Sequence, residues 1–133
     1  MVHIISLLLV FIEITLEIKI ISAIFILPYL LYLCSEGKKR YLLNVIIIIF
    51  LYSLQNSNFY IILLSIFGIY TLYFILLSQL HYKKDNILIF VIVQAVILNL
   101  VYKEYLSVFI YLYNFIGLYF VNYFYIDILK RKK

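Results

Sequence analysis

Residues 59–80, FYIILLSIFGIYTLYFILLSQL, form a long apolar segment without a single charged side chain. An α-helix of about 20 such residues is long enough to cross the roughly 30 Å hydrocarbon core of a bilayer. The rest of the chain has the same character, because 68% of all residues are hydrophobic and only 13% are charged. A soluble domain is closer to half apolar and a quarter charged. The composition therefore excludes a water-soluble monomer and indicates that most of the surface faces lipid.

Polar interruptions divide the chain into apolar segments, which we place at 2–16, 20–34, 41–54, 59–80, 87–102 and 105–126. Positions 45–51 and 87–93 are apolar throughout, which favours helices over strands of alternating polarity. We therefore predict an all-α fold: a polytopic transmembrane bundle of five or six short helices, forming one membrane domain over 1–133. A turn within 13–19 gives six spans, whereas an interfacial helix leading into one span gives five.

The basic residues predict the orientation of this bundle, because cytoplasmic loops of membrane proteins are enriched in Lys and Arg. With six spans and the N-terminus inside, all of the eleven basic residues except Lys19 and Lys103 are cytoplasmic. The inner loops then hold Lys38, Lys39, Arg40, Lys83 and Lys84, and the inner tail holds residues 130–133. The five-span alternative leaves the later loops on the same sides. Both predict a multi-pass protein of the plasma membrane with a cytoplasmic C-terminus.

Two acidic residues, Glu13 and Glu17, stand four positions apart and would share one helix face. Three interpretations are open for them. They belong to an outer connection that Lys19 neutralises, to a proton or cation site at membrane depth, or to an amphipathic stretch at the interface.

Small and polar side chains recur within two of the apolar segments. Ser65, Gly68 and Thr71 form a strip on the fourth segment, and Asn114 and Gly117 form another on the last. Such strips allow helix backbones to approach closely and to form hydrogen bonds across the contact. We interpret both strips as helix-packing or partner interfaces, with the opposing helix either in this chain or in a partner.

Uncharged amides and two histidines are the remaining polar candidates within the spans. Asn44, Gln94 and Asn99 lie in three different segments, where they either line a ligand cavity or form ordinary interhelical bonds. His3 and His81 have no acidic or cysteine partner at ligand spacing, so we expect surface histidines near the headgroups.

No motif indicates catalysis. The single cysteine, Cys34, has no companion for a disulfide or a metal site, and the glycine patterns of phosphate loops and nucleophile turns do not occur. The net charge of +5 belongs to loops beside lipid headgroups. Tyrosines at helix ends are expected to anchor the helices at the interface, and the tyrosines lie within apolar spans rather than along a basic groove. We therefore expect a protein that is not an enzyme, binds no metal, cofactor or nucleic acid, and contacts membrane lipid.

From Ile26 onward, the order of features resembles the MreD family of bacterial rod shape-determining membrane proteins. The sequence PYLL at 28–31 is similar to the Pro-led second helix of that family, and SEGKKR at 35–40 to its short basic loop. The sequence QNSN at 55–58 is similar to its polar turn.

Several positions depart from the family pattern. The acid after the proline is replaced by Tyr29, the glycines of the third helix by Asn44 and Ile48, and an acid near its end by Tyr52. The resemblance covers most of the chain and depends on feature order and length.

The resemblance implies a non-catalytic scaffold of the cell-elongation machinery in the bacterial inner membrane. Such a scaffold would bind a bitopic MreC-like protein and link MreB filaments to RodA and its class B penicillin-binding partner. Pro28 would then belong to the helix-packing or partner interface. The implied bundle is similar to the substrate-binding subunits of energy-coupling vitamin transporters, so a small-solute transporter subunit is the alternative function. A holin-like pore former is a third.

Overall fold

The structure is a computed structural model that describes residues 1–15, 24–55, 58–101 and 108–132. Within those ranges all regular secondary structure is helical, which confirms the predicted all-α class. Six α-helices follow in order: α1 Val2–Thr15, α2 Ile26–Glu36, α3 Leu42–Gln55, α4 Phe59–Gln79, α5 Ile87–Val101 and α6 Val108–Lys132. Short 3₁₀ turns at Lys39–Tyr41 and Lys84–Asn86 lead into α3 and α5. Each predicted apolar segment overlaps one helix, although α6 continues beyond position 126 into the basic tail.

Helix α4 is the one described helix that is long and apolar enough to cross a membrane by itself. It has a mean hydropathy of 2.3, and only 11% of its most apolar stretch is buried within the protein. Helices α1, α2 and α3 are apolar but shorter. A water-exposed helix of this composition would be strongly unfavourable, which supports an association of α4 with lipid.

Helix α2 is the centre of the fold. Every residue at positions 26–34 is buried, as expected for a helix that is apolar on all sides. It packs against α4 and α6, and its Tyr29 contacts His3 of α1 and Asn44 of α3. Helices α1, α3, α4 and α6 therefore surround α2, which accounts for the burial of its side chains.

A left-handed glycine ends α2. Gly37 has φ 62°, and its N–H donates to the carbonyl of Leu33 at 3.3 Å. Glycine adopts this conformation without the steric penalty of a Cβ, which is why it commonly closes helices. The chain can then turn directly into the basic residues before α3.

The three basic groups of the sequence meet at one end of the bundle. The end of α6 contacts the end of α2 through Lys132 and Glu36, and contacts the α4–α5 connection through Lys84. The first turn of α1 lies at the same end, because His3 packs beside Tyr41. We call this region, formed by the N-terminal turn, the loops at 36–41 and 80–86 and the tail at 127–132, the basic end.

Candidate functional site

The best-connected charged group of the basic end is a clamp between α2 and α6. The Tyr32 hydroxyl donates to Glu36 Oε1 at 2.6 Å and accepts a hydrogen bond from Lys132 Nζ at 2.7 Å. Lys132 also forms an ion pair with Glu36. The clamp fixes the last turn of the central helix to the last turn of α6.

Protonation of the clamp follows from its surroundings. Burial of the Glu36 carboxyl would raise its pKa, but hydrogen bonds from Lys132, Tyr32 and Tyr41 outweigh this, and the pKa falls from 4.5 to about 2. Hydrogen bonds to Glu36 and Tyr32 raise the pKa of Lys132. Both groups are therefore charged at neutral pH. The Glu36 side chain is only 5% exposed, so this pair is better shielded from water than an ordinary surface pair.

A second, more exposed group links the α4–α5 connection to α6. Lys84 donates to the Tyr123 hydroxyl at 2.8 Å, lies 4.2 Å from the centre of that ring, and is 3.9 Å from the Asp127 carboxylate. Arg131 pairs with Asp127 at 3.0 Å. The hydrogen bond to Tyr123 raises the pKa of Lys84. Because these side chains are solvated, the group orders the basic end more than it stabilises the fold.

The other predicted loop cations point outward. Lys39 and Lys83 are exposed, and Lys38 is exposed with its ammonium 5.9 Å from the centre of the Tyr41 ring. The side chain of Arg40 lies outside the described part of the structure.

The N-terminal histidine differs from the expectation. His3 is half-buried, its Nδ1 lies 3.2 Å from the Tyr29 hydroxyl, and its ring centre lies 4.5 Å from that of Tyr41. Asn44 donates to the same Tyr29 hydroxyl at 3.2 Å. His3 is therefore less exposed than a surface residue, because α1 brings it against polar side chains of α2 and α3 at the basic end. His81 is exposed.

Four tyrosines lie inside the bundle. Tyr29, Tyr32, Tyr73 and Tyr125 are each at most 2% exposed, a burial that the anchoring interpretation of tyrosines at helix ends does not address. The Tyr125 hydroxyl donates to Ser6 at 2.7 Å, which joins α6 to α1, and its ring stacks 4.9 Å from that of Tyr32. A buried tyrosine is tolerated when its hydroxyl finds such a partner.

A buried amide pair joins α5 to α6. Asn122 Nδ2 donates to Gln94 Oε1 at 2.5 Å, and Asn122 Oδ1 accepts from the Tyr82 hydroxyl at 2.7 Å. Of the two interpretations of Gln94, the interhelical bond is the one that the structure contains. Sequence reasoning missed Asn122, although its spacing of eight residues from Asn114 places both near one helix face. Asn99 is exposed.

Glu13 stabilises the start of the central helix. Its carboxylate accepts hydrogen bonds from the backbone N–H groups of Phe25 and Ile26, each at 3.2 Å. Helices begin with N–H groups that have no partner within the helix, and Pro28 removes one of them because proline has no N–H. Glu13 lies in the last turn of α1, and its contact with the start of α2 leaves open the interpretations given for Glu13 and Glu17. Glu17 and Lys19 lie outside the described residues.

The two small-residue strips have opposite environments. Ser65, Gly68 and Thr71 are exposed on the outer side of α4, and a Cβ at Gly68 would meet no atom within 4 Å. On α6, a Cβ at Gly117 would lie 3.3 Å from Ile24, and Asn114 is 5% exposed. The α6 strip therefore packs within the chain. The α4 strip does not, so the partner alternative is the one that stays open for it.

Within the described ranges no group of three or more His, Cys, Asp or Glu side chains is arranged to hold a metal ion. Cys34 is buried, and its Sγ lies 3.7 Å from the carbonyl oxygen of Tyr70. Comparison with protein-family models, curated proteins and solved structures gives no match to this chain. Its function is therefore inferred from the surfaces and polar contacts of its own helices.

Proposed function

We propose that the chain is a multi-pass membrane scaffold that binds a transmembrane helix of a partner on the outer face of α4. This face comprises the small strip at Ser65, Gly68 and Thr71 and the exposed apolar side chains that flank it. The flanking side chains are Tyr60, Ile61, Leu64, Phe67 and Ile75, all more than half exposed. The exposure of the strip on the one described helix that is long and apolar enough to cross a membrane is the observation that carries the proposal.

A lipid environment for the bundle is supported by the hydrogen bonds of the polar side chains on its outer surface. On the outer face of α4, Ser65 donates to the Ile61 carbonyl and Thr71 to the Phe67 carbonyl, both at 2.7 Å. Both hydroxyls therefore have a hydrogen-bond acceptor within the helix and do not require water as a partner. An apolar surface of this extent is far larger than the few hundred Å² that soluble monomers expose, whereas in a bilayer it is the expected exterior.

The basic end supports an orientation with both termini in the cytoplasm. Positively charged loops are retained on that side, and the α2–α3 loop, the α4–α5 loop and the end of α6 all lie there. Because His3 lies at the same end, we propose six spans with the N-terminus in the cytoplasm.

Scaffolding is favoured over solute transport by the chemistry of the interior. The buried amides of Gln94 and Asn122 bond to each other and to Tyr82, which leaves their polar atoms engaged within the protein. A solute-binding subunit needs convergent polar groups that face a cavity. Small residues on an exposed helix are instead suited to close approach by another helix in the bilayer.

The specific role that we propose is the one implied by the MreD resemblance. The partner on α4 would be an MreC-like bitopic protein, and the complex would join MreB filaments to RodA and the class B penicillin-binding protein. The chain would catalyse no reaction in this assembly and would act by holding helices and cytoplasmic loops together.

In-cell photo-crosslinking tests the scaffold. A photoreactive amino acid at Gly68 is expected to give an adduct with a partner that has a transmembrane helix. The same probe at Gly117 is the matched control, because Gly117 faces Ile24 of the same chain. Equal adducts from both positions, or none from Gly68, would contradict binding on α4.

Depletion in a rod-shaped host tests the elongation role separately. Loss of rod shape is expected, together with recovery of an MreC-like protein in the Gly68 adduct. Unchanged cell shape would rule out the elongation role even if another membrane partner were captured.

A further inference from the structure

A groove of about 770 Å³ opens at the basic end between α2, α4 and α6. Its walls come from the last turns of these three helices and from the α4–α5 connection at 80–85. Pockets of about 300–1,000 Å³ are large enough for a drug-sized molecule. The groove is separate from the clamp and from the outer strip of α4, while Tyr82 and Lys84 of its lining also hydrogen-bond to α6.

The lining of the groove separates into an apolar floor and a cationic rim. The floor is formed by Phe74, Leu77, Leu80, Ile126 and Leu129. The rim carries Lys83, Lys84 and Lys130 against a single acid, Asp85. A site that combines an apolar floor with an excess of positive charge complements an anionic amphiphile, because each part of such a ligand finds a matching surface.

Two of the rim lysines are available to a ligand. Lys84 is occupied by Tyr123 and Asp127, but neither Lys83 nor Lys130 forms an ion pair with a described residue, and both are exposed. The acids of α2 and α6 at this end, Glu36 and Asp127, pair with Lys132, Arg131 and Lys84.

We propose that the groove binds one anionic phospholipid, with its phosphate between Lys83 and Lys130 and its glycerol and upper acyl chains on the apolar floor. The remaining length of the chains would run along α4 past Phe74, which is 67% exposed. The inference rests on the proposed membrane location, since that location puts the rim at the headgroup level of the cytoplasmic leaflet.

The apolar floor is what distinguishes a lipid from a free anion. Inorganic phosphate would use the lysines alone and leave the Leu77 and Leu129 surface uncovered. A phospholipid covers both surfaces, and the displaced water adds to its affinity. We therefore expect the lipid to be retained under conditions in which phosphate is not.

The full-length chain in neutral detergent, with phosphatidylglycerol or phosphatidylcholine added, tests this site by native mass spectrometry. One phosphatidylglycerol is expected to be retained in preference to phosphatidylcholine. The double variant Lys83→Gln, Lys130→Gln is expected to bind it about thirtyfold more weakly. The double variant Lys38→Gln, Lys39→Gln removes equal charge from the same end outside the groove and should change binding little. Equal losses in both variants, or equal retention of both lipids, would overturn the proposal, and displacement of the lipid by inorganic phosphate would reassign the site to a free anion.

Fluorescence gives a second readout that does not depend on charge removal. The chain has no tryptophan, so Phe74→Trp places a single reporter on the groove and Phe67→Trp places one on α4 outside it. The two phenylalanines are equally exposed, at 67%. Brominated phosphatidylglycerol should quench the Phe74→Trp reporter, with saturation near one lipid per protein. It should quench the Phe67→Trp reporter only in proportion to the mole fraction of the brominated lipid. Identical quenching curves would overturn the site while leaving the Gly68 crosslink, and hence the scaffold, unaffected.

Discussion

Glu13 stabilises the first turn of the central helix α2 through its carboxylate. We expect Glu13→Ala to lower the free energy of unfolding by about 1–3 kcal/mol, because the N–H groups of Phe25 and Ile26 lose their acceptor in a partly buried place. Glu13→Gln keeps an oxygen acceptor without the charge and should cost less. Denaturant titration of the detergent-solubilised protein measures both changes.

Thr15→Ala is the control for this prediction. Thr15 is also on α1, but its hydroxyl is exposed and donates only to the Ile12 carbonyl of the same helix. Its replacement should change stability by less than about 0.5 kcal/mol. If Thr15→Ala and Glu13→Ala are equally destabilising, Glu13 does not stabilise the protein through its hydrogen bonds to the start of α2.

The clamp at Glu36 predicts a loss of stability in acid. Its carboxyl has a pKa of about 2 in the folded protein against an ordinary 4.5, so the unfolded chain takes up the proton first as the pH falls. The stabilisation is therefore complete above about pH 4.5 and is lost as the pH falls through 2. Glu36→Gln should lower the free energy of unfolding at pH 7 by about 1–2 kcal/mol, since Lys132 is partly solvated.

Unfolding measured from pH 7 down to pH 2 tests the clamp. The difference between the native protein and Glu36→Gln should shrink across the acid range and vanish near pH 2. Lys132→Gln breaks the same ion pair from the α6 side. It should also reduce the pH dependence of the free energy of unfolding between pH 4.5 and pH 2. A difference that stays constant over the whole range would show that the clamp does not respond to protonation.

At the scale of the helices, the two glycines in the apolar segments give a matched pair. Gly68→Leu adds a side chain to an open surface and should leave the stability of the isolated chain unchanged or slightly higher, because leucine is the better helix former. Gly117→Leu must displace Ile24 and should cost about 1–3 kcal/mol. Thermal unfolding in detergent measures both, and equal destabilisation would place the α4 strip inside the fold.

The helices were largely predictable from the sequence, and their contacts were not. Charged and amide residues interrupt the apolar segments where α4 and α5 begin, and such interruptions are visible locally. The hydrogen bond between Tyr125 and Ser6 joins positions 119 residues apart. Whether a tyrosine lies in the core depends on such a remote partner, so the burial of Tyr125 could not be predicted from composition.

The same reasoning explains the outcome for the two small-residue strips. Ser65 with Gly68 and Asn114 with Gly117 carry the same local signal, which permits close packing without naming the opposing surface. The α6 strip meets Ile24, whereas a Cβ at Gly68 in the α4 strip meets no atom of the described residues within 4 Å. The difference arises because α2 occupies the inner side of α4, and that placement depends on the arrangement of the whole bundle.

For the molecule as a whole, the central position of α2 resolves an apparent problem of length. Eleven residues make a helix of only about 16 Å, roughly half of the hydrocarbon thickness. A short helix is tolerated at membrane depth when protein rather than lipid surrounds it. In the proposed membrane arrangement, the span of the bundle is set by outer helices such as α4, which is about 31 Å long.

Cysteine accessibility in intact cells tests the orientation that the basic end predicts. In a Cys34→Ala background, Lys38→Cys and Lys83→Cys should react with a membrane-impermeant maleimide only after the cells are permeabilised, because loops rich in Lys and Arg remain in the cytoplasm. Asn58→Cys, at the exposed start of α4, should react in intact cells.

An added cysteine before Met1 separates six spans from five. Protection of this cysteine from the maleimide in intact cells is expected, since His3 packs beside Tyr41 at the basic end. Labelling of Lys38→Cys and Lys83→Cys from outside would invert the bundle and remove the lipid groove from the cytoplasmic leaflet.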